Sequence, residues 1–261
     1  MKNEQTHPIA MSIAGSDPSG GAGIQADLRV FSARGVYGTT VLTALTAQNP
    51  EEVTAVQGLE DHFVKAQAEA VLKLPVRGIK TGMLWSKEIV ACVALLLDNN
   101  PQIPTVVDPV MIATSGAKLL TDEAIENYKT MLLPRATLIT PNIDEAEMLL
   151  GESIDRSNQE EAARELFDLF GSSVLLKGGH LEGSPIDILF DGNKVVRWEH
   201  DWIDEVNTHG SGCMLSAAIC AELAKGKGLV ESVDLGLNFL QKALNNAVKI
   251  AKSISLANVH V

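Results

Sequence analysis

Along much of the chain, short apolar runs alternate with longer stretches whose apolar residues recur every three or four positions. The short runs are "IAMSIAG" (9–15), "GIKTGM" (78–83), "PTVVDPV" (104–110), "TLITPN" (137–142) and "SVLLKGG" (173–179). Each is bounded by Gly, Pro, Asp or Asn and reads as a buried strand. The helical spacing falls on 23–34, 61–74, 86–99, 121–133 and 157–170, several of them behind a Ser, Thr or Asp cap. Such alternation predicts βαβ units, an α/β fold with a mostly parallel central sheet covered by helices. The stretch 187–198 breaks the rhythm: two apolar runs flank Asp191-Gly192-Asn193 and predict a small antiparallel hairpin. Residues 212–226 and 229–254 return to helical spacing and predict a helix pair over one sheet face. No repeat or linker interrupts the pattern, so 1–261 reads as a single domain.

Composition agrees with that picture. Hydrophobic residues make up 46% of the 261 and aromatics only 4%, which suits a parallel sheet between helices. A formal net charge of -12 argues against nucleic acid or acidic lipid as a partner, so an anionic substrate would have to be held by local groups. Three cysteines, Cys92, Cys213 and Cys220, form no Cys-x-x-Cys pair and suggest a reducing compartment. The N-terminus carries no basic segment leading into a long apolar run, and the longest such run, 90–97, is far below the ~18 residues of a membrane span. A cytoplasmic, membrane-free protein is expected.

The candidate chemistry sits where strands end. "GSDPSGGAGIQAD" (15–27) lies between a strand and a helix, where backbone N–H groups face a ligand. It has neither the Lys-Ser/Thr of a Walker A loop nor the Gly-x-Gly-x-x-Gly of a dinucleotide site. A tight strand-to-helix turn and a close backbone approach to a flat substrate both remain open. Gln48 ends an apolar run before Asn49-Pro50; it is either a turn residue or an amide able to match a ring nitrogen beside an exocyclic amine. Asn142 and Glu145 form either a capping box or, with Asp108, an oxygen site for a small hard cation. Lys177, before Gly178-Gly179, either snorkels at an edge or reaches a phosphate.

In "HGSGCMLS" (209–216), Gly210, Ser211, Gly212 and Cys213 would point successive N–H groups from a helix start at developing negative charge. The same dipole would acidify the Cys213 thiol toward neutrality and make it a candidate base. A Gly-x-Ser-x-Gly elbow is absent, and His209 with Cys213 lacks the further ligands of a metal site.

Seven stretches in this order resemble the hydroxymethylpyrimidine/phosphomethylpyrimidine kinases of thiamine biosynthesis, within the ribokinase-like superfamily. They are "IAGSDPSGGAGIQADL" (13–28), "TALTAQNP" (43–50), "IKTGML" (79–84), "VVDPVM" (106–111), "LITPNIDEAE" (138–147), "LLKGGH" (175–180) and "NTHGSGCMLSAA" (207–218). The resemblance implies a ribokinase-like three-layer α/β/α fold, a homodimer, and ATP and Mg²⁺ as cofactors. It implies phosphorylation of a small-molecule pyrimidine and then of its monophosphate. Residue by residue, it implies that Gly15, Ala22, Asp27, Gln48 and Met83 line the pyrimidine pocket, with Asp27 holding substrate polar groups. Gly210 to Cys213 would form the anion hole, Asn142 with Glu145 the metal-phosphate site, and Lys177 a nucleotide-phosphate contact. The segment after Asp108 through Gly116 would close as a lid, and the tail 253–261 lacks the family's usual glycine-rich ending. A pyridoxine/pyridoxal kinase is the nearest rival, with Gln48 as discriminator; a non-catalytic sensor is the other.

Overall fold

In a computed structural model of the chain, the described residues are 7–111, 122–179, 184–201, 203, 209–251 and 254–261. Most of the expected lid, 112–116, lies outside them. The core of the sheet consists of five parallel strands: Ile9–Ser16 (β1), Tyr37–Gln48 (β2), Val76–Thr81 (β4), Thr105–Val107 (β5) and Leu138–Ile139 (β6), joined by Ser173–Leu176 (β7) as a sixth. Antiparallel strands flank them, Val53–Gly58 (β3) at one edge and the pair Ile186–Phe190 (β8) and Val195–Glu199 (β9) at the other. The order is β3-β2-β1-β4-β5-β6-β7-β8-β9.

Because side chains alternate along a strand, the parallel strands feed two apolar layers. Met11, Ile13, Val107, Ile139 and Val174 face helices Asp61–Val71 (α2), Lys87–Asp98 (α3), Asp122–Asn127 (α4), Ile143–Leu150 (α5) and Gln159–Phe170 (α6). Ala10, Val106, Leu138 and Leu175 face Gly23–Ala33 (α1), Ser211–Ala224 (α7) and Leu229–Asn245 (α8). The three-layer α/β/α arrangement is therefore the expected one. No helix among the described residues is long and apolar enough to cross a membrane.

Local chemistry explains where elements stop. Ser86 caps α3 by accepting from the Ile89 N–H, as its position before an apolar stretch predicts. The hairpin turns at Gly192 (φ 88°), with Asp191 Oδ1 accepting the N–H groups of Asn193 and Lys194.

Two expectations are corrected. The helix predicted over 121–133 is regular only to Asn127; a π-helical turn over Tyr128–Leu132 and a 3-10 turn over Leu133–Arg135 follow, where Pro134 has no N–H for the ladder. The helix predicted over 229–254 ends at Asn245, and Val248–Ala251 (β10) pairs antiparallel with Ile254–Leu256 (β11). Asn245-Asn246 are weak helix formers, and "VKI" behind them alternates with the period of a strand.

One polar group lies in the apolar layer beneath the α1 side. Ser12 and Lys80 are register partners on β1 and β4, and both reach Asp27 on the inner face of α1. Lys80 Nζ sits 3.0 and 2.9 Å from the two Asp27 oxygens, and Ser12 Oγ donates to Oδ2 at 2.5 Å. All three residues are fully buried. Burial pushes the Asp27 carboxyl up while Lys80 and Ser12 oppose it; for Lys80, burial is outweighed chiefly by the Asp27 carboxylate, with Asp108 adding to it, and the ammonium stays charged. Asp27 is thus spent on structure, and the expected contact with substrate is not the one its helix position gives. Removing one partner of such a pair strands a buried charge. Lys80→Met is expected to cost about 3–5 kcal/mol of stability, and Lys80→Met with Asp27→Leu to recover most of it. Urea denaturation checks this, and a double variant as unstable as the single one contradicts it.

Candidate active site

A cavity of about 530 Å³ opens at the carboxyl ends of the parallel strands, where an α/β sheet places its ligands. Its position follows from chain direction: β1 runs into the glycine loop, β5 into Asp108, β6 into Asn142 and β7 into Lys177. Of the residues singled out in the sequence, Gly15, Ala22, Gln48 and Met83 form one wall, with the Met83 methyl packed against Gly15. Asp108, Asn142, Glu145 and Lys177 line another part, and Gly210, Ser211, Gly212 and Cys213 line the turn between. Asp27 does not line it.

Asn142 is the N-cap of α5. Its side chain accepts from the Glu145 N–H at 2.8 Å, and the Glu145 carboxylate accepts from the Asn142 N–H at 2.9 Å. The capping box is therefore real, and it aims the same two side chains at the cavity. A parallel bridge sets Asn142 beside Lys177. Lys177 Nζ reaches Asp108 Oδ1 at 3.1 Å, and Thr140 Oγ1 donates to the same oxygen at 3.2 Å. Burial pushes the Glu145 carboxyl up to about 7, Lys177 pulls against that shift, and Asp108 adds to it. Two largely buried carboxylates thus share one ammonium, a set of hard oxygens short of positive charge.

The α7 start meets the glycine loop at van der Waals distance. Gly210 is left-handed (φ 78°), and a Cβ there would lie 1.9 Å from the Gly21 carbonyl oxygen. Only glycine fits. The first N–H groups of α7, from Ser211 onward, have no partner within the helix and face the cavity. A Cβ on Gly212 would stand 3.2 Å from Lys177 Nζ, so a lysine ammonium and a helix N-terminus converge on one place.

Cys213 departs from the expected acidity. Burial pushes its thiol up to about 11; Lys80 and a hydrogen bond from the Gly23 N–H oppose this, while Asp27 and Asp108 reinforce it. Desolvation outweighs the Lys80 charge and that hydrogen bond.

Several residues escaped the sequence reading. Asp17 accepts the N–H groups of Ser19 (2.9 Å) and Ala22 (2.8 Å) and lies 3.0 Å from His209 Nε2. The Asx turn in "SDPSGG" was a local signal for its loop role, but nothing local announced His209 as its partner. Lys80, a lysine inside an apolar strand, was the signal for the buried ion pair. The tail also reaches the glycine loop: Leu256 lies within 3.5 Å of where a Gly21 Cβ would stand.

The sequence profile of the family described as "Phosphomethylpyrimidine kinase" matches residues 17–258. The chain belongs to the phosphomethylpyrimidine kinase family. It is 44% identical over 256 residues to the hydroxymethylpyrimidine/phosphomethylpyrimidine kinase of Rhizobium meliloti (strain 1021), covering 97% of this chain and 96% of that one. A 2.06 Å crystal structure of phosphomethylpyrimidine kinase from Clostridium difficile 630 is 42% identical, with TM-score 0.82 over 90% of this chain and 99% of that one. Bacillus subtilis pyridoxal kinase in an ADP complex is 33% identical, with TM-score 0.90 over 97% of each chain. The ribokinase-like architecture expected for a member of the phosphomethylpyrimidine kinase family is the one found. Backbone likeness extends to both activities, so side chains must separate them.

A thiol with a pKa near 11 has no titration plateau at neutral pH. In a Cys92→Ser background, alkylation of Cys213 by iodoacetamide is expected to rise about tenfold per pH unit from 7 to 10, as thiolate fraction does below the pKa. Mass spectrometry of the labelled peptide follows it, and a plateau near pH 8 would restore the acidified thiol.

Proposed function

We propose that this protein phosphorylates 4-amino-5-hydroxymethyl-2-methylpyrimidine, and then its monophosphate, using ATP and Mg²⁺. The observation that carries the reading is the joining, in one cavity, of the Gln48–Met83 wall to the Lys177-covered N-terminus of α7. The wall offers an amide edge and an apolar face for a flat aminopyrimidine. The helix start offers N–H groups with no partner inside the helix, and an ammonium, for the charge that spreads over a transferring phosphoryl group.

Asp108 and Glu145, with Asn142 at the same strand ends, are the oxygen donors that suit a small divalent cation, which would neutralise the charge their shared pocket lacks. Lys177 would hold nucleotide phosphate. Cys213 would face the substrate hydroxyl. A thiol that keeps its proton at neutral pH accepts none, so it would orient the hydroxyl by hydrogen bonding, and only its small thiolate fraction could act as a base toward a hydroxyl acidified late in the loose transition state of phosphoryl transfer. A homodimer and a cytoplasmic site of action belong to the same reading.

The second reading, pyridoxine/pyridoxal phosphorylation, is favoured by the pyridoxal kinase likeness of the backbone. Gln48 argues against it as the main activity, because a pyridine ring lacks the amine-and-nitrogen edge that a glutamine amide pairs with.

Coupled ATPase assays on hydroxymethylpyrimidine, its phosphate and pyridoxine test the function, with pyrimidine turnover expected to dominate. Gln48→Met should lower kcat/KM for the pyrimidine by about 10- to 100-fold, more than for pyridoxine; an unchanged ratio removes Gln48 from recognition. Cys213→Ala should lower kcat by about 100-fold or more while calorimetry still detects pyrimidine binding. Near-normal turnover would make Cys213 a packing residue.

A further inference from the structure

One histidine ties together three segments that the sequence keeps far apart. His209 Nε2 lies 3.0 Å from Asp17 Oδ2 and 3.4 Å from Gln48 Nε2. Its ring is buried at the cavity wall, with Cδ2 only 2.8 Å from where a Gly21 Cβ would stand. Burial would raise the Asp17 carboxyl, but the hydrogen bonds from His209, Ser19 and Ala22 outweigh it and hold it below the usual range. An ionised carboxylate only accepts. The hydrogen of the shared contact therefore sits on His209 Nε2.

That hydrogen decides how the Gln48 amide is turned. With the amide nitrogen toward His209, two N–H donors face each other. On the far side, Gln48 Oε1 is 3.2 Å from Thr46 Oγ1, whose single hydrogen has a better acceptor in the Ser16 carbonyl at 2.7 Å. Exchanging the amide's oxygen and nitrogen, which have nearly the same shape, removes both conflicts at once. His209 Nε2–H then serves Gln48 Oε1 as well as Asp17, and a Gln48 N–H donates to Thr46 Oγ1.

We propose that His209, held by Asp17, is a positioning residue that fixes the Gln48 carbonyl on its own side and thereby sets which way round an aminopyrimidine is bound. With the amide pinned, one N–H and one carbonyl lone pair are left for the ring edge, in a single left-to-right order. The reversed amide would accept the same edge turned over, carrying the hydroxymethyl group away from Cys213. The inference rests on the aminopyrimidine reading above.

The first test needs no substrate. ¹⁵N NMR of the free protein should show His209 with its hydrogen on Nε2, and a neutral ring protonated only on Nδ1 would overturn the proposal. The second is a double-mutant cycle in the coupled assay with the hydroxymethylpyrimidine. His209→Phe, which keeps a ring against Gly21 but loses the N–H, should lower kcat/KM about tenfold and leave KM for ATP within about twofold. His209→Gln, which returns an N–H near the Nε2 position, should restore most of it. In a Gln48→Met background the same His209→Phe change should cost less than about twofold, since the residue it acts through is gone. Equal losses in both backgrounds would show that His209 does not work through Gln48. If His209→Phe does not fold, Thr46→Val removes the acceptor on the other side of the amide and should give the same non-additive loss with Gln48→Met. Absence of pyrimidine turnover in the unaltered protein would refute the proposed function, whereas the NMR result would still decide the orientation of Gln48.

Discussion

Everything at this site depends on two glycine turns being able to touch. The start of α7 and the loop before α1 meet where a side chain on Gly210 would overlap the Gly21 carbonyl. Their contact closes the floor of the cavity and leaves two helix N-termini pointing into it. It also puts the Cys213 sulfur within hydrogen-bond reach of the Gly23 N–H, so the thiol belongs to both helix starts. Asp17 and His209 bind the two turns together from the side. A fold that kept the strands and helices but lost this contact would keep the α/β scaffold and lose the wall on which a substrate could be ordered.

The second constraint is charge. The chain as a whole carries a net -12, yet its cavity must attract phosphate. What it offers for that is local: Lys177, largely withdrawn from water beside Asp108, stands next to the N-terminus of α7, while Lys80 is neutralised by Asp27 beneath the cavity and does not line it. In a low-dielectric pocket these few groups dominate over distant surface carboxylates, which salt and water screen. The buried pairing has a cost, because Asp108 and Glu145 crowd one another around a single ammonium. Burial first, with that crowding added to it, raises the Glu145 carboxyl to about 7.

The thiol illustrates how opposing effects are settled by magnitude. A helix start lowers a thiol pKa, and the local sequence announces the helix start clearly. Burial beneath the glycine loop raises it, and two buried carboxylates add to that; the sum lies on the high side. An activated thiolate is thereby replaced by a neutral thiol at the cavity wall.

What the sequence determined by itself is periodicity and local chemistry. The alternation of strands and helices, the α3 cap, the Asp191-Gly192 hairpin and the Asn142–Glu145 box depend on neighbours within a few residues, and they stand as the pattern indicates. The strand-end residues lining the cavity were legible for the same reason, since chain direction alone puts Asp108, Asn142 and Lys177 at the carboxyl edge of a parallel sheet. Only the tertiary structure decided which long-range partner each polar group takes. Asp27 is one helical turn past the loop, so it turns inward to Lys80 instead of outward to a ligand. His209 meets Asp17 across 192 positions of chain, and the tail reaches Gly21 because α8 ends early and the chain doubles back. Such pairings are set by where packed elements bring buried donors and acceptors together, and no spacing along the sequence encodes that distance.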